Sequence, residues 1–170
     1  MKRRLWLAAL GAVVALQMAV LGGLWAYSQY PRWVGQEVTL SVRPVDPRDL
    51  FRGAYLHLDY NIGTVPIPQT GVPRAGRTVY VTLQKQGPVW IAADVQYVPP
   101  AHGLYLRGRI STVTFDAIHV RYGIEAWFTS DQQARALGTA LRQGGVAEVK
   151  VTPHGRAALL KVTAKAAAAP

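Results

Sequence analysis

Cysteine is absent from this chain of 170 residues, which removes disulfides, thiolate nucleophiles and thiolate metal ligands together and leaves stability to packing alone. Acidic side chains are scarce: 9 Asp and Glu stand against 19 Lys and Arg, a formal net charge of +10. No glycine-rich phosphate loop and no nucleophile elbow occurs. His57, His102, His119 and His154 lie in four separate segments with no i, i+4 pair, so the sequence offers no zinc motif. Asp46 and Asp49 are close enough to share a cation, but Arg43, Arg48 and Arg52 around them oppose a divalent ion. No catalytic residue, metal or cofactor is therefore assigned, and the sequence leans away from an enzyme.

Charge of either sign is also missing from Leu5 to Pro31, directly behind Met1-Lys2-Arg3-Arg4. As a helix, Leu5 to Tyr27 spans roughly 34 Å, enough for a hydrocarbon layer of about 30 Å. Residues 1–4 then read as a cytoplasmic basic flank, 5–27 as a transmembrane helix and 28–36 as a juxtamembrane linker. The positive-inside bias leaves the rest outside, on a single-pass protein of the cytoplasmic membrane. Trp6 at one end and Trp25, Tyr27, Tyr30 and Trp33 at the other suit interfacial belts. The rival is a cleaved leader, because Ala26-Tyr27-Ser28 has small residues in the arrangement a leader peptidase needs; the apolar run is too long for an ordinary one. Gln17 is a polar side chain mid-span, and Gly11, Gly22 and Gly23 lack the small-xxx-small spacing of a tight helix dimer, so oligomeric state stays open.

Beyond the anchor there is length for one ordinary domain, read as residues 37–163 with an Ala-rich tail at 164–170. Setting aside Lys2, Arg3 and Arg4 lowers the net charge to +7. The remaining cations never form a run of four, which points to a solvated basic surface more than to a dedicated polyanion site, and nucleic acid is not expected. Alternating patterns predict strands at Glu37 to Arg43 and Thr78 to Gln84, and further strands are expected at Val89 to Tyr97, Leu104 to Phe115 and His119 to Phe128, separated by Pro- and Gly-bearing turns. A helix is expected from Asp131 to Arg142, capped by Ser130 with Gln133 three residues on, and with Ala134, Leu137 and Leu141 facing the sheet. A closing hairpin follows, Val146 to Val151 and Ala157 to Val162. The fold class is mainly β, a small barrel or sandwich, with one helix after the anchor.

The densest run of unusual residues is Arg43-Pro44-Val45-Asp46-Pro47-Arg48-Asp49-Leu50-Phe51-Arg52-Gly53, leading into Ala54-Tyr55-Leu56-His57-Leu58-Asp59-Tyr60. Two prolines fix φ near −65°, so the loop is stiff and cannot continue a strand. In the strand that follows, Ala54, Leu56, Leu58 and Tyr60 share one face, which predicts Tyr60 packed inward. Pro47, Gly53, Leu58 and Tyr60 read as the structural frame. Arg48, Asp49, Arg52, Tyr55 and His57 read as the candidate binding surface, a stiff charged loop feeding an aromatic strand.

The run Gly53-Ala54-Tyr55-Leu56-His57-Leu58-Asp59-Tyr60 resembles the signature of the GDYXXLXY family, small membrane-anchored bacterial proteins. The likeness extends to Leu104-Tyr105-Leu106-Arg107-Gly108, Tyr122-Gly123-Ile124-Glu125 and His154-Gly155-Arg156-Ala157. Ala54 departs from it, standing where the motif has Asp. The resemblance implies a class and supplies no reaction. A weaker likeness joins Ser41-Val42-Arg43-Pro44 and Gly53-Ala54-Tyr55-Leu56 to type I signal peptidases, whose serine nucleophile is served by a neutral lysine. Arg107 cannot be that base because a guanidinium keeps its proton in proteins, which leaves Lys85.

These residues lead to an expectation of binding: an extracytoplasmic β domain that contacts an integral membrane protein or another envelope component. The alternatives are a signal-peptidase-like serine hydrolase using Ser41, and attraction of the basic domain to anionic lipid or envelope glycan.

Overall fold

The computed structural model describes residues 2–44, 55–129, 131–141 and 144–164. Its first element is a helix, α1 (Lys2–Val34), continuous through the stretch expected as a linker. Pro31 lies inside it, buried, and has no N–H to give the Tyr27 carbonyl. The Pro31 carbonyl still accepts from the Gly35 amide at 3.0 Å, which ends the helix against the first strand. The 28–36 segment is thus rigid helix through Val34, because one proline costs a helix a single donor and the residues on either side continue it.

Ten strands and a short helix follow: β1 (Gln36–Pro44), β2 (Tyr55–Tyr60), β3 (Thr64–Pro66), β4 (Thr78–Gln86), β5 (Val89–Gln96), β6 (Tyr105–Val113), β7 (Ala117–Arg121), β8 (Ala126–Phe128), α2 (Asp131–Ala140), β9 (Gly145–Val151) and β10 (Ala157–Ala164). They run in the order β10-β9-β1-β5-β4-β6-β7-β3, with β2 pairing β1 and β8. β1 and β5 are parallel; the other pairs are antiparallel. Because β2 continues into β3 through a turn in which the Gly63 amide meets the Tyr60 carbonyl at 2.8 Å, the pairings close on themselves. The path β1-β5-β4-β6-β7-β3/β2-β1 is a ring, the connectivity of a small barrel, and the β9–β10 hairpin extends from the free side of β1.

Alternation fills the ring's interior. Val38, Leu40 and Val42 of β1, Leu56, Leu58 and Tyr60 of β2 and Ala147, Val149 and Val151 of β9 form one buried cluster. Val65, Val79, Val81, Ile110, Ile118 and Val120 form a second. Tyr122 packs against both. In α2, Leu137 rests on the first cluster and Leu141, just past the helix, is fully buried. The expected cap Ser130 and the side chain of Ala134 lie outside what the structure describes; Thr129 Oγ1 bonds to Gln133 Oε1 at 2.6 Å across the helix start.

Three expectations change. The strand expected over His119 to Phe128 is two strands, β7 and β8, because Gly123 turns the chain at φ 84° and the Glu125 carboxylate accepts the amides of Tyr122 and Gly123. The expected strand to Phe115 ends at Val113, where Thr114 bonds to the Ala117 carbonyl through both its amide and its hydroxyl. Ala164, assigned to the tail, is the last residue of β10 and pairs with Gly145; residues 165–170 are outside the description.

Candidate functional site

The signature loop is largely outside the described residues: Pro47, Arg48, Asp49, Arg52 and Gly53 all fall there, as does Ala54. The described part begins at Tyr55, which pairs with Phe128 across β2 and β8, followed by His57 opposite Ala126. His57 is half-buried on the outward side. Inward, Leu58 is 0% and Tyr60 3% exposed, and the Tyr60 hydroxyl donates to the Ile124 carbonyl at 2.7 Å. Burial, with Glu125 adding a smaller push, raises the Tyr60 phenol well above its ordinary range.

Beside this strand lies an open cavity of about 790 Å³ whose polar wall is Ser41, Arg43, Asp59, Asn61 and Thr64. Arg43 and Asp59 are register partners on β1 and β2, opposite charges facing across an antiparallel pair. The cavity sits where the end of β1 meets the end of β2, the opposite end of β2 from Tyr55. Ser41 lies on it, but Lys85 does not: Leu40, Trp90 and Lys85 are in register across β1, β5 and β4 and share one face of the sheet, while Ser41, next to Leu40, projects to the other. A hydroxyl and an amine on opposite faces do not form a nucleophile–base pair.

The histidines stay apart. His119 Nδ1 meets Thr64 Oγ1 at 3.0 Å, and among the described residues no group of three His, Asp or Glu is placed to hold a metal.

A second recess, of about 800 Å³, gathers residues that sequence spacing did not connect: Arg107 and Arg109 of β6, Arg121 of β7, Arg156 of the β9–β10 turn, and Tyr27 of α1. Leu106, Gly108 and Ile110 point into the barrel, so Arg107 and Arg109 point out. Gly108 is required between them: a Cβ there would collide with Val120 Cγ1 and come within 3.0 Å of the Tyr122 ring. The Tyr122 hydroxyl donates to the Ile62 carbonyl at 2.7 Å, and burial raises its pKa strongly, again with Glu125 as the lesser cause. Arg156 is held by its turn, since its amide donates to Thr152 Oγ1 at 3.0 Å and its carbonyl accepts from the Thr152 amide at 2.8 Å. The Arg107 amide donates to the Gly155 carbonyl at 2.8 Å, joining this turn to β6. The Arg156 guanidinium carbon stands 3.9 Å from the centroid of the Tyr27 ring. The runs containing Arg107-Gly108, Tyr122-Gly123 and Arg156-Ala157, noted separately in the sequence, all border this recess.

A family model described as GDYXXLXY protein matches residues 17–162. No curated protein and no solved structure matches the chain.

Proposed function

Since this chain belongs to the GDYXXLXY family, a class without an assigned reaction, we propose that it is a single-pass membrane protein whose extracytoplasmic β domain acts by binding an integral membrane protein or another envelope component. In this reading the basic flank is cytoplasmic and α1 is a retained anchor. Retention is supported by the contacts of the helix end with the folded domain: Lys150 Nζ donates to the Arg32 carbonyl at 2.8 Å and Arg156 covers Tyr27. Cleavage near Ala26-Tyr27-Ser28 would remove the second of these.

The observation that supports the binding reading is the open polar cavity beside the signature strand, bordered by Arg43 and Asp59 on the paired strands β1 and β2. Fixed strands present its charges, and no lysine lines it beside Ser41. Arg48, Asp49, Arg52, Tyr55 and His57 are the contact residues of this proposal. The test is brief crosslinking in native membranes, mild-detergent capture of the full chain at moderate and high salt, and mass spectrometry. One stoichiometric membrane or envelope protein persisting at high salt is expected, with Arg48→Ala losing it while the melting temperature is unchanged. Absence of any specific companion overturns the reading.

A further inference from the structure

Arg109 and Arg121 stand directly opposite each other across the antiparallel pair β6–β7. Like charges at facing positions of a sheet repel, so such a pair is unfavourable unless an anion lies between. Arg107, two residues along β6 on the same outward face, and Arg156, brought alongside by the Arg107–Gly155 bond, add two more cations. Among the described residues no carboxylate forms an ion pair with any of the four. Glu125 borders the recess, but its oxygens are taken by the Tyr122 and Gly123 amides. What remains is a recess in which four guanidinium groups outnumber one carboxylate that is already hydrogen-bonded to backbone amides, the chemistry that suits phosphate oxygens, which planar forked donors grip in pairs.

The remaining wall decides which phosphate. Tyr27 sits where the apolar run of α1 ends, 62% exposed, with its ring under Arg156. If that run spans a bilayer, Tyr27 lies at the interface, the level of the headgroups, and acyl chains attached to a phosphate in the recess would lie along the exposed apolar side of α1. We propose that the Arg107–Arg109–Arg121–Arg156 recess binds the phosphate of an anionic phospholipid headgroup in the leaflet where α1 emerges. This rests on the reading of α1 as a retained anchor.

The full chain in neutral detergent is titrated calorimetrically with dioctanoyl phosphatidylglycerol, dioctanoyl phosphatidylcholine, inorganic phosphate and a polyglutamate peptide. Phosphatidylglycerol is expected to saturate one class of site and to outcompete the other three. The double substitution Arg109→Gln/Arg121→Gln weakens it roughly thirtyfold. The lipid-free melting temperature of that variant stays level or rises, since a facing pair of like charges has been removed. Undiminished phosphatidylglycerol binding by the variant overturns the site. Equal or tighter binding of inorganic phosphate assigns the recess to a free phosphate, and preference for polyglutamate assigns it to an acidic protein; either result overturns the lipid. Carbonate extraction of native membranes separates the two levels: a chain released with soluble proteins ends the anchor reading and the headgroup site together, whereas a chain that stays embedded but shows no lipid preference ends the site alone.

Discussion

Tyr60 and Tyr122 show how single side chains hold the barrel closed. Their hydroxyls donate to the carbonyls of Ile124 and Ile62, so each ties one side of the β2–β3 turn region to the loop between β7 and β8. Both phenols are raised, first by burial and then by Glu125. The sign of the linkage follows: above about pH 10 the unfolded chain gives up phenolic protons that the folded chain keeps, so stability is intact below that pH and falls as pH rises through the alkaline range. Thermal melts should be flat on this account near neutrality and decline above pH 10, and Tyr60→Phe should make the decline shallower. At neutral pH the same variant should lose about 1–3 kcal/mol, because the buried Ile124 carbonyl keeps no partner; Tyr60→Ala should lose about 3–5 kcal/mol. An alkaline limb unaltered in Tyr60→Phe would refute the assignment. Tyr60 was legible in the sequence because alternation over Leu56, Leu58 and Tyr60 sets its face. The arginine recess was not: Arg107 and Arg156 are far apart along the chain, and only strand register and a turn-to-strand hydrogen bond bring them together.

Among the elements, α1 and β9 meet at a close-packed junction. A Cβ on Gly35 would stand 2.5 Å from the Pro31 carbonyl oxygen, 2.9 Å from Lys150 Cβ and 3.0 Å from the Val151 amide nitrogen. Two of these neighbours are backbone, so nothing there can yield cheaply. Gly35→Val should therefore push the helix end off β9 and break the bond from Lys150 to the Arg32 carbonyl. Trypsin cleavage after Arg32 should then speed up several-fold, with the circular dichroism of the sheet preserved; an unchanged cleavage rate would contradict the docking. Periodicity found β1, β2 and β4, while strand-forming runs between turns marked β5, β6 and the closing hairpin; inward and outward residues alternate in β4, β6 and β9 but not in β5. It missed β3, whose three residues are too few to show a period, and fused β7 with β8, where a carboxylate holding two amides interrupts an otherwise strand-like run. The segment 28–36, expected as a linker, is helix through Val34, and Gly35 is its close-packed end.

At the scale of the whole molecule, ring closure makes β1, the strand that follows α1, a partner of β2, β5 and β9 together. The lack of cysteine makes its topology directly measurable. Phe115, fully exposed at the tip of the β6–β7 hairpin, can be replaced by Cys without disturbing the core. With the proposed orientation, Phe115→Cys is labelled by an impermeant maleimide in right-side-out membrane vesicles and Lys2→Cys only in inside-out ones; the reverse pattern would invert the topology.

The unbroken passage from α1 through Gly35 into β1 leaves the domain no slack. A protein on a long flexible leash explores a volume and can catch partners well above its attachment point; this one, if held by α1, sweeps a thin sheet one domain deep. Its search would be two-dimensional, and whatever it meets would have to arrive at the same height and present the same side each time. With α1 in a bilayer as proposed, a rotation or tilt of the helix would pass directly to the barrel, so that changes in that bilayer become changes in the domain's attitude.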